Sequence, residues 1–253
     1  MFRSIASGVL TIVLLLLVQD FASFAHEARR RPVIVDTDMA LDDARALALL
    51  ARSPSLELSA VLTSDGGSSP CEGAARIHRL LAGLDRGGVR VGVGTRLAAP
   101  APPWRENSSL LDEFGSGEAP ACDALPGALE LARKALEQSH SPATWIALGP
   151  MTNLASLLER HPELANRVHA VYYSGDRLAA EPPGWNTERD RDAAAAVLAS
   201  GVPVYLVPPR DAEVALPLDA SLLEAVAAVD SPAARWISRL HAEARMQQLA
   251  ADG

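Results

Sequence analysis

Pro32-Val-Ile-Val-Asp-Thr-Asp-Met-Ala-Leu-Asp-Asp-Ala-Arg-Ala-Leu-Ala-Leu-Leu50 decides how the rest of the chain is read. Pro32-Val-Ile-Val35 is an unbroken apolar run that reads as a buried strand. From Leu41 to Leu50 apolar residues recur at helical spacing. Between strand and helix stand four carboxylates within eight residues: Asp36, Asp38, Asp42 and Asp43. Singly, each has an ordinary explanation. Asp42 or Asp43 suits a helix N-terminus through capping and the dipole, and Asp36 and Asp38 suit a solvated loop. Together they repel and raise one another's pKa. No Lys or Arg lies between 32 and 44, and Arg45 alone is a poor match for four acids. A hard divalent cation held by oxygen ligands is the economical balance, and calcium fits better than zinc because no His or Cys is at hand.

Outward from this stretch the alternation continues. Strands are expected at 57–62, 89–93, 144–148, 168–173 and 202–207. Helices are expected at 72–84, near 126–138, from Asn153, and over 231–250. Alternating β and α predicts an α/β fold, a mostly parallel central sheet flanked by helices in a single Rossmann-like domain. Right-handed crossovers then gather the strand C-termini, and the loops after them, on one edge. Residues 97–121 break the rhythm with Ala98-Ala-Pro-Ala-Pro-Pro103 and a polar stretch; their length suggests a flexible surface element near the site. Gly92-Val-Gly94 lacks the remaining glycine of a dinucleotide fingerprint and reads as a turn.

With 253 residues the chain can bury one large core. Aromatic residues are few, so Ala, Leu and Val fill it. A net charge of −8 offers no basic footprint, which argues against nucleic acid as a partner. Arg3, the apolar run Gly8–Val18 and Ser23-Phe-Ala25 read as a signal peptide, residues 1–25, cleaved after Ala25. That predicts a periplasmic or secreted protein with no stable membrane association after cleavage; an uncleaved anchor is the alternative. Cys71 and Cys122 would meet an oxidising compartment, where a disulfide is allowed, although spacing does not show that they meet. A homo-oligomer is compatible with the sequence.

Three segments resemble, in order, the inosine–uridine-preferring nucleoside hydrolase family. Val35-Asp-Thr-Asp-Met-Ala-Leu-Asp-Asp-Ala44 is similar to its aspartate-rich N-terminal signature. Ala147-Leu-Gly-Pro-Met-Thr-Asn-Leu-Ala155 is similar to its strand-end turn. Gly184-Trp-Asn186 with Asp190-Arg-Asp-Ala-Ala194 is similar to its ribose-binding segment. The resemblance, over about residues 32–215 and three motifs, implies a nucleoside hydrolase-like domain from 32 to 253 acting on small-molecule nucleosides with Ca²⁺. It implies that Asp38 is a metal ligand that also takes a proton from the attacking water. Asp43 is a second ligand and the Thr152 backbone carbonyl a third. Asp42 and Asn186 contact the ribose hydroxyls, and Asp36 supports the metal loop.

The chain also departs from that pattern. Gly67 stands where the family places an Asn, and Gly184 where it places an acid. The family's C-terminal His-Asp pair has no counterpart, so the C-terminal part of the family domain is expected to be missing. Asp65 is an extra carboxylate near the site. Two further readings stay open: a catalytically impaired homologue that binds nucleoside or metal or acts as a scaffold, and a phosphatase in which Asp36 of Asp36-Thr-Asp38 is the nucleophile. Trp185 either walls a sugar pocket or packs in the core.

Overall fold

The computed structural model describes residues 30–115, 117–207 and 219–252; the expected signal segment 1–25 lies outside them. Six strands form one sheet: β1 (Arg31–Thr37), β2 (Leu56–Thr63), β3 (Val91–Gly92), β4 (Ala143–Ala147), β5 (Val168–Tyr173) and β6 (Val204–Leu206). Their order is β3-β2-β1-β4-β5-β6, and every pairing is parallel. Strand order reverses between β1 and β4. At such a switch point the loops after the two strands part and leave a crevice outside their C-terminal ends.

The helices are α1 (Leu41–Arg52), α2 (Pro70–Gly83), α3 (Ala128–Gln138), α4 (Thr152–Arg160), α5 (Trp185–Arg189), α6 (Arg191–Ala199), α7 (Ala220–Ala227), α8 (Pro232–Ala242) and α9 (Ala244–Asp252). None of the described helices is long and apolar enough to cross a membrane. Two apolar cores sandwich the sheet. On one face Val33, Val35 and Val61 meet Leu47 of α1, Ile77 of α2 and Trp236 of α8. On the other, Ile34, Leu62 and Trp145 meet Leu131, Leu154 and Val197 from α3, α4 and α6. The continuous Val-Ile-Val run of β1 is thus apolar on both faces because both are covered, each side chain contributing roughly 1.5–3 kcal/mol by burial.

Local chemistry sets the boundaries. α1 stops at Arg52 because Ser53 precedes Pro54, which disfavours helical geometry. Pro70 and Pro232 open α2 and α8 at a position where a missing N–H costs nothing. Pro203 precedes the edge strand β6, where a lost donor is tolerated. The helix expected over 231–250 is two helices, broken at Glu243, whose backbone is extended. The 97–121 segment contains an eleven-residue 3-10 stretch, Pro103–Glu113.

Candidate active site

The acid cluster lies at the switch point. β1 ends at Thr37, and Met39 takes a left-handed backbone (φ 54°), which costs a non-glycine residue roughly 1–2 kcal/mol. Burial of the Met39 side chain in the core opposes that cost. Thr37 Oγ1 fixes the turn: it accepts the Met39 N–H at 2.9 Å and donates to Asp43 Oδ2 at 2.6 Å. The loop after β2 closes over Asp38. The Gly67 N–H donates to Asp38 Oδ2 at 2.8 Å, and the Ser68 N–H to the Asp38 carbonyl at 2.7 Å. A Cβ on Gly66 would collide with Asp38 Oδ2, so only glycine lets that loop lie against the carboxylate.

Asp36, Asp38 and Asp43 are all buried. Burial pushes Asp36 up to about 7, against the pull of the Asn153 amide, with the Asp38 charge adding to the rise. Asn153 Nδ2 donates to Asp36 Oδ1 and to the Thr63 carbonyl, both at 2.9 Å, while Asp36 Oδ2 has no partner among the described residues. Burial likewise raises Asp38, opposed by its contact with Asp43 and by the Gly67 N–H. Asp43 is held well above the usual carboxylate range by burial first, then by the charges of Asp38 and Asp42. Among the described residues Arg45 makes no ion pair with these acids. Two buried carboxylates in contact must share a proton or a cation.

A cavity of about 160 Å³ opens above them, floored by Asp38, Asp42 and Asp43 and walled by Trp104, Trp185 and Asn186. Leu148 and Ser174, just past β4 and β5, complete it. Trp104 and Trp185 meet edge to face, ring centroids 4.2 Å apart. Asn186 donates both amide hydrogens to the main chain, to the Leu148 carbonyl and to the Ser174 carbonyl at 2.9 Å. Its Oδ1 is therefore the atom free to accept from a ligand. A larger cavity of about 490 Å³ lies at the opposite end of the sheet, beside Arg31, His140 and His169, and has no acid floor.

Four of the residues singled out from the sequence, Asp38, Asp42, Asp43 and Asn186, thus share one cavity, with Asp36 beneath it. Asp36 is fully buried and does not line it, which removes the phosphatase reading's nucleophile. Thr152 stands in the first turn of α4, outside the lining residues; its hydroxyl donates to Asp190 Oδ2, and Asp190 caps α6 through the Ala193 N–H. Trp185 belongs to the cavity wall. Trp104, Asn153 and the Gly67 N–H were not assigned from sequence. Trp104 sits in a Pro-rich stretch without periodicity, and a backbone donor leaves no side-chain signal. Asp65 does not face the acids as an extra ligand, because Arg105, Arg189 and the Leu97 N–H bind its carboxylate. His241 lies on α8 near Arg45 and does not line the cavity. Cys71 and Cys122 form a disulfide, tying the start of α2 to Cys122–Ala124.

The donor set suits a hard cation. Asp38 and Asp43 are buried in contact beside the cavity, and their oxygens are the donors calcium prefers. Among the described residues, however, no three His, Cys, Asp or Glu side chains are grouped as a complete metal shell. For such a cation the two carboxylates would supply part of a coordination sphere, and main-chain oxygen, water or ligand hydroxyls the remainder.

A parallel α/β sheet whose switch point carries an acid-floored, aromatic-walled cavity defines the class of fold and site. The chain belongs to the inosine-uridine preferring nucleoside hydrolase family, which it matches over residues 33–251. It is 33% identical over 187 residues to the pyrimidine-specific ribonucleoside hydrolase RihA of Salmonella paratyphi B, an alignment covering 69% of this chain and 59% of the relative. The RihA protein of Escherichia coli O1:K1 is 31% identical over 191 residues, with the same coverage. The chain thus spans about 59% of the length of these curated relatives. Among solved structures, a plant nucleoside hydrolase superposes with a TM-score of 0.72 at 21% identity, covering 88% of this chain and 73% of that one. The Bacillus anthracis inosine-uridine preferring nucleoside hydrolase gives 0.69 at 20% identity, covering 84% and 76%. At these identities the structural likeness speaks for the fold.

Proposed function

We propose that the protein hydrolyses the N-glycosidic bond of ribonucleosides, releasing nucleobase and ribose, with calcium at Asp38 and Asp43. The observation that carries this reading is the pair of buried, contacting carboxylates at the floor of the cavity, without an ion-pair partner among the described residues, in a chain of this family. Cleavage builds oxocarbenium character on the sugar, and carboxylates nearby stabilise that charge. When bound, calcium supplies a fixed positive charge that neutralises the acids and makes a water more acidic. Asp38 takes the proton from the attacking water. Its Oδ2 accepts the Gly67 N–H, which orients the carboxylate. Asp42 and Asn186 Oδ1 accept from ribose hydroxyls, Asp36 and Asn153 hold the end of β1 in place, and the Thr152 carbonyl would be a further oxygen ligand of the ion, although Thr152 stands outside the lining residues. Export to an oxidising compartment, following signal cleavage after Ala25, is supported by the Cys71–Cys122 bond.

The incomplete carboxylate shell and the glycines at 67 and 184 favour a second reading, a relative that binds nucleoside or metal without turnover. One assay separates the two. Purified protein with inosine or uridine and Ca²⁺ is expected to release reducing sugar, and Asp38→Asn to abolish the release. Folded protein that binds nucleoside saturably and releases no sugar would overturn the hydrolase reading.

A further inference from the structure

Asp65 is buried two residues past the end of β2, and its carboxylate is bonded by two segments distant in sequence. Oδ2 accepts the Leu97 N–H at 2.8 Å. Oδ1 accepts from Arg189 Nη2 at 3.1 Å and from Arg105 Nη2. Each guanidinium is also anchored on main chain. Arg105 Nε donates to the Gly66 carbonyl at 2.8 Å, and Arg189 Nε to the Asp65 carbonyl at 3.2 Å. Arg189 further reaches the Pro100 and Ala99 carbonyls. Arg105 follows Trp104 directly, and Arg189 lies one helical turn beyond Trp185. The two indoles of the cavity wall therefore hang from the two arginines that share Asp65.

We propose that Asp65 is a positioning residue that sets the Trp104–Trp185 wall of the cavity by holding Arg105 and Arg189 together. It touches no lining surface itself and acts on the bound molecule through the two indoles. A single carboxylate between two planar guanidinium groups fixes both by charge-assisted hydrogen bonds, a geometry that neither Asn nor Lys reproduces. The 97–122 excursion is tied to the fold elsewhere as well. Arg76 binds Asp112 through two hydrogen bonds of 3.0 Å, and the Cys71–Cys122 disulfide closes its far end. Loss of the Asp65 carboxylate therefore loosens the wall, the two arginines keeping only their main-chain bonds, while the chain stays folded. The effect on catalysis rests on the hydrolase reading, whereas the effect on the wall does not.

The test uses Asp65→Asn in the full chain, with two readouts. Edge-to-face indoles this close give an exciton couplet in circular dichroism, identified by its loss in Trp104→Phe. Asp65→Asn is expected to lose the couplet, while the core variant Val197→Ala keeps it. With inosine or uridine, Asp65→Asn is expected to raise KM about tenfold with kcat changed less than about threefold, since the wall and not the acid floor has moved. Adding Arg105→Gln to Asp65→Asn is expected to cost little more than either change alone, as for residues acting as one unit. A folded Asp65→Asn protein with the wild-type couplet overturns the proposal. If the wild-type chain turns over no nucleoside, the hydrolase reading falls and the couplet still decides the role of Asp65.

Discussion

Gly67 and Ala40 face each other so closely that a Cβ on Gly67 would lie 2.8 Å from Ala40 Cβ and 3.0 Å from its Cα. The Gly67 N–H meanwhile serves Asp38 Oδ2. The main chain thus supplies a donor at a position where the family pattern carries an asparagine side chain. Putting that asparagine back is expected to harm the protein. Gly67→Asn should lose about 1–3 kcal/mol, the usual cost of overpacking, because the contact partner is helix-entry backbone and not a movable side-chain end. Urea denaturation checks this, and unchanged stability would mean that the loop has room to shift.

Asp38 and Asp43 are buried in contact, and the Asp38 charge adds to burial in lifting Asp43 well above the usual carboxylate range. Neutralising one should therefore stabilise the metal-free protein while abolishing its response to metal. Asp43→Asn is expected to raise the metal-free melting temperature, since it removes a carboxyl that burial and the charges of Asp38 and Asp42 hold well above its usual range. In the wild type, Ca²⁺ at about a hundred times its Kd is expected to add about 2.7 kcal/mol by mass action, and in Asp43→Asn close to none. Thermal melts with Ca²⁺ and with chelator make the comparison. A wild type indifferent to Ca²⁺ would remove calcium from the site.

Much of this site was legible because its signals are local. The Val-Ile-Val run of β1 shows a buried strand, and four acids in eight residues show an unbalanced charge. The remainder depends on contacts that local pattern does not encode. Helix α6 runs Arg191-Asp-Ala-Ala-Ala-Ala-Val-Leu-Ala199, and so many alanines leave little apolar-polar contrast to mark a face. The Asp65–Arg105 and Asp65–Arg189 pairs span 40 and 124 residues. An acid near the motif reads as a spare ligand until the fold brings two arginines onto it. The split of the last helix at Glu243 has no Pro or Gly to announce it.

Asn186 anchors the site as well as facing it. Its amide nitrogen bridges the Leu148 and Ser174 carbonyls, holding the start of α5 against the ends of β4 and β5. Asn186→Asp replaces two donors with acceptors and sets a carboxylate against two carbonyl oxygens. It is expected to destabilise the protein more than Asn186→Ala, by about 1–3 kcal/mol relative to wild type. Under the proposed chemistry both variants should lose nucleoside affinity, read by isothermal titration. An Asn186→Asp protein as stable as wild type would mean that these bridges contribute nothing.

Glu72 gives a pH-dependent term away from the cavity. Its carboxylate accepts from the Ser69 hydroxyl at 2.6 Å and the Ser69 N–H at 3.2 Å at the start of α2, and these bonds hold it below the usual carboxylate range. An acid whose folded pKa is depressed binds fewer protons folded than unfolded. Its contribution is therefore complete above the unfolded value, 4.5, and fades as pH falls through the lower folded value. The group is largely exposed, so solvent screening keeps the contribution small. Glu72→Gln is expected to cost about 0.5 kcal/mol at neutral pH. That difference should shrink as pH drops from about 5 toward about 3, in guanidinium titrations of both proteins across that range. A gap that widens on acidification would have the wrong sign for a depressed carboxyl and would place the stabilising partner of Ser69 elsewhere.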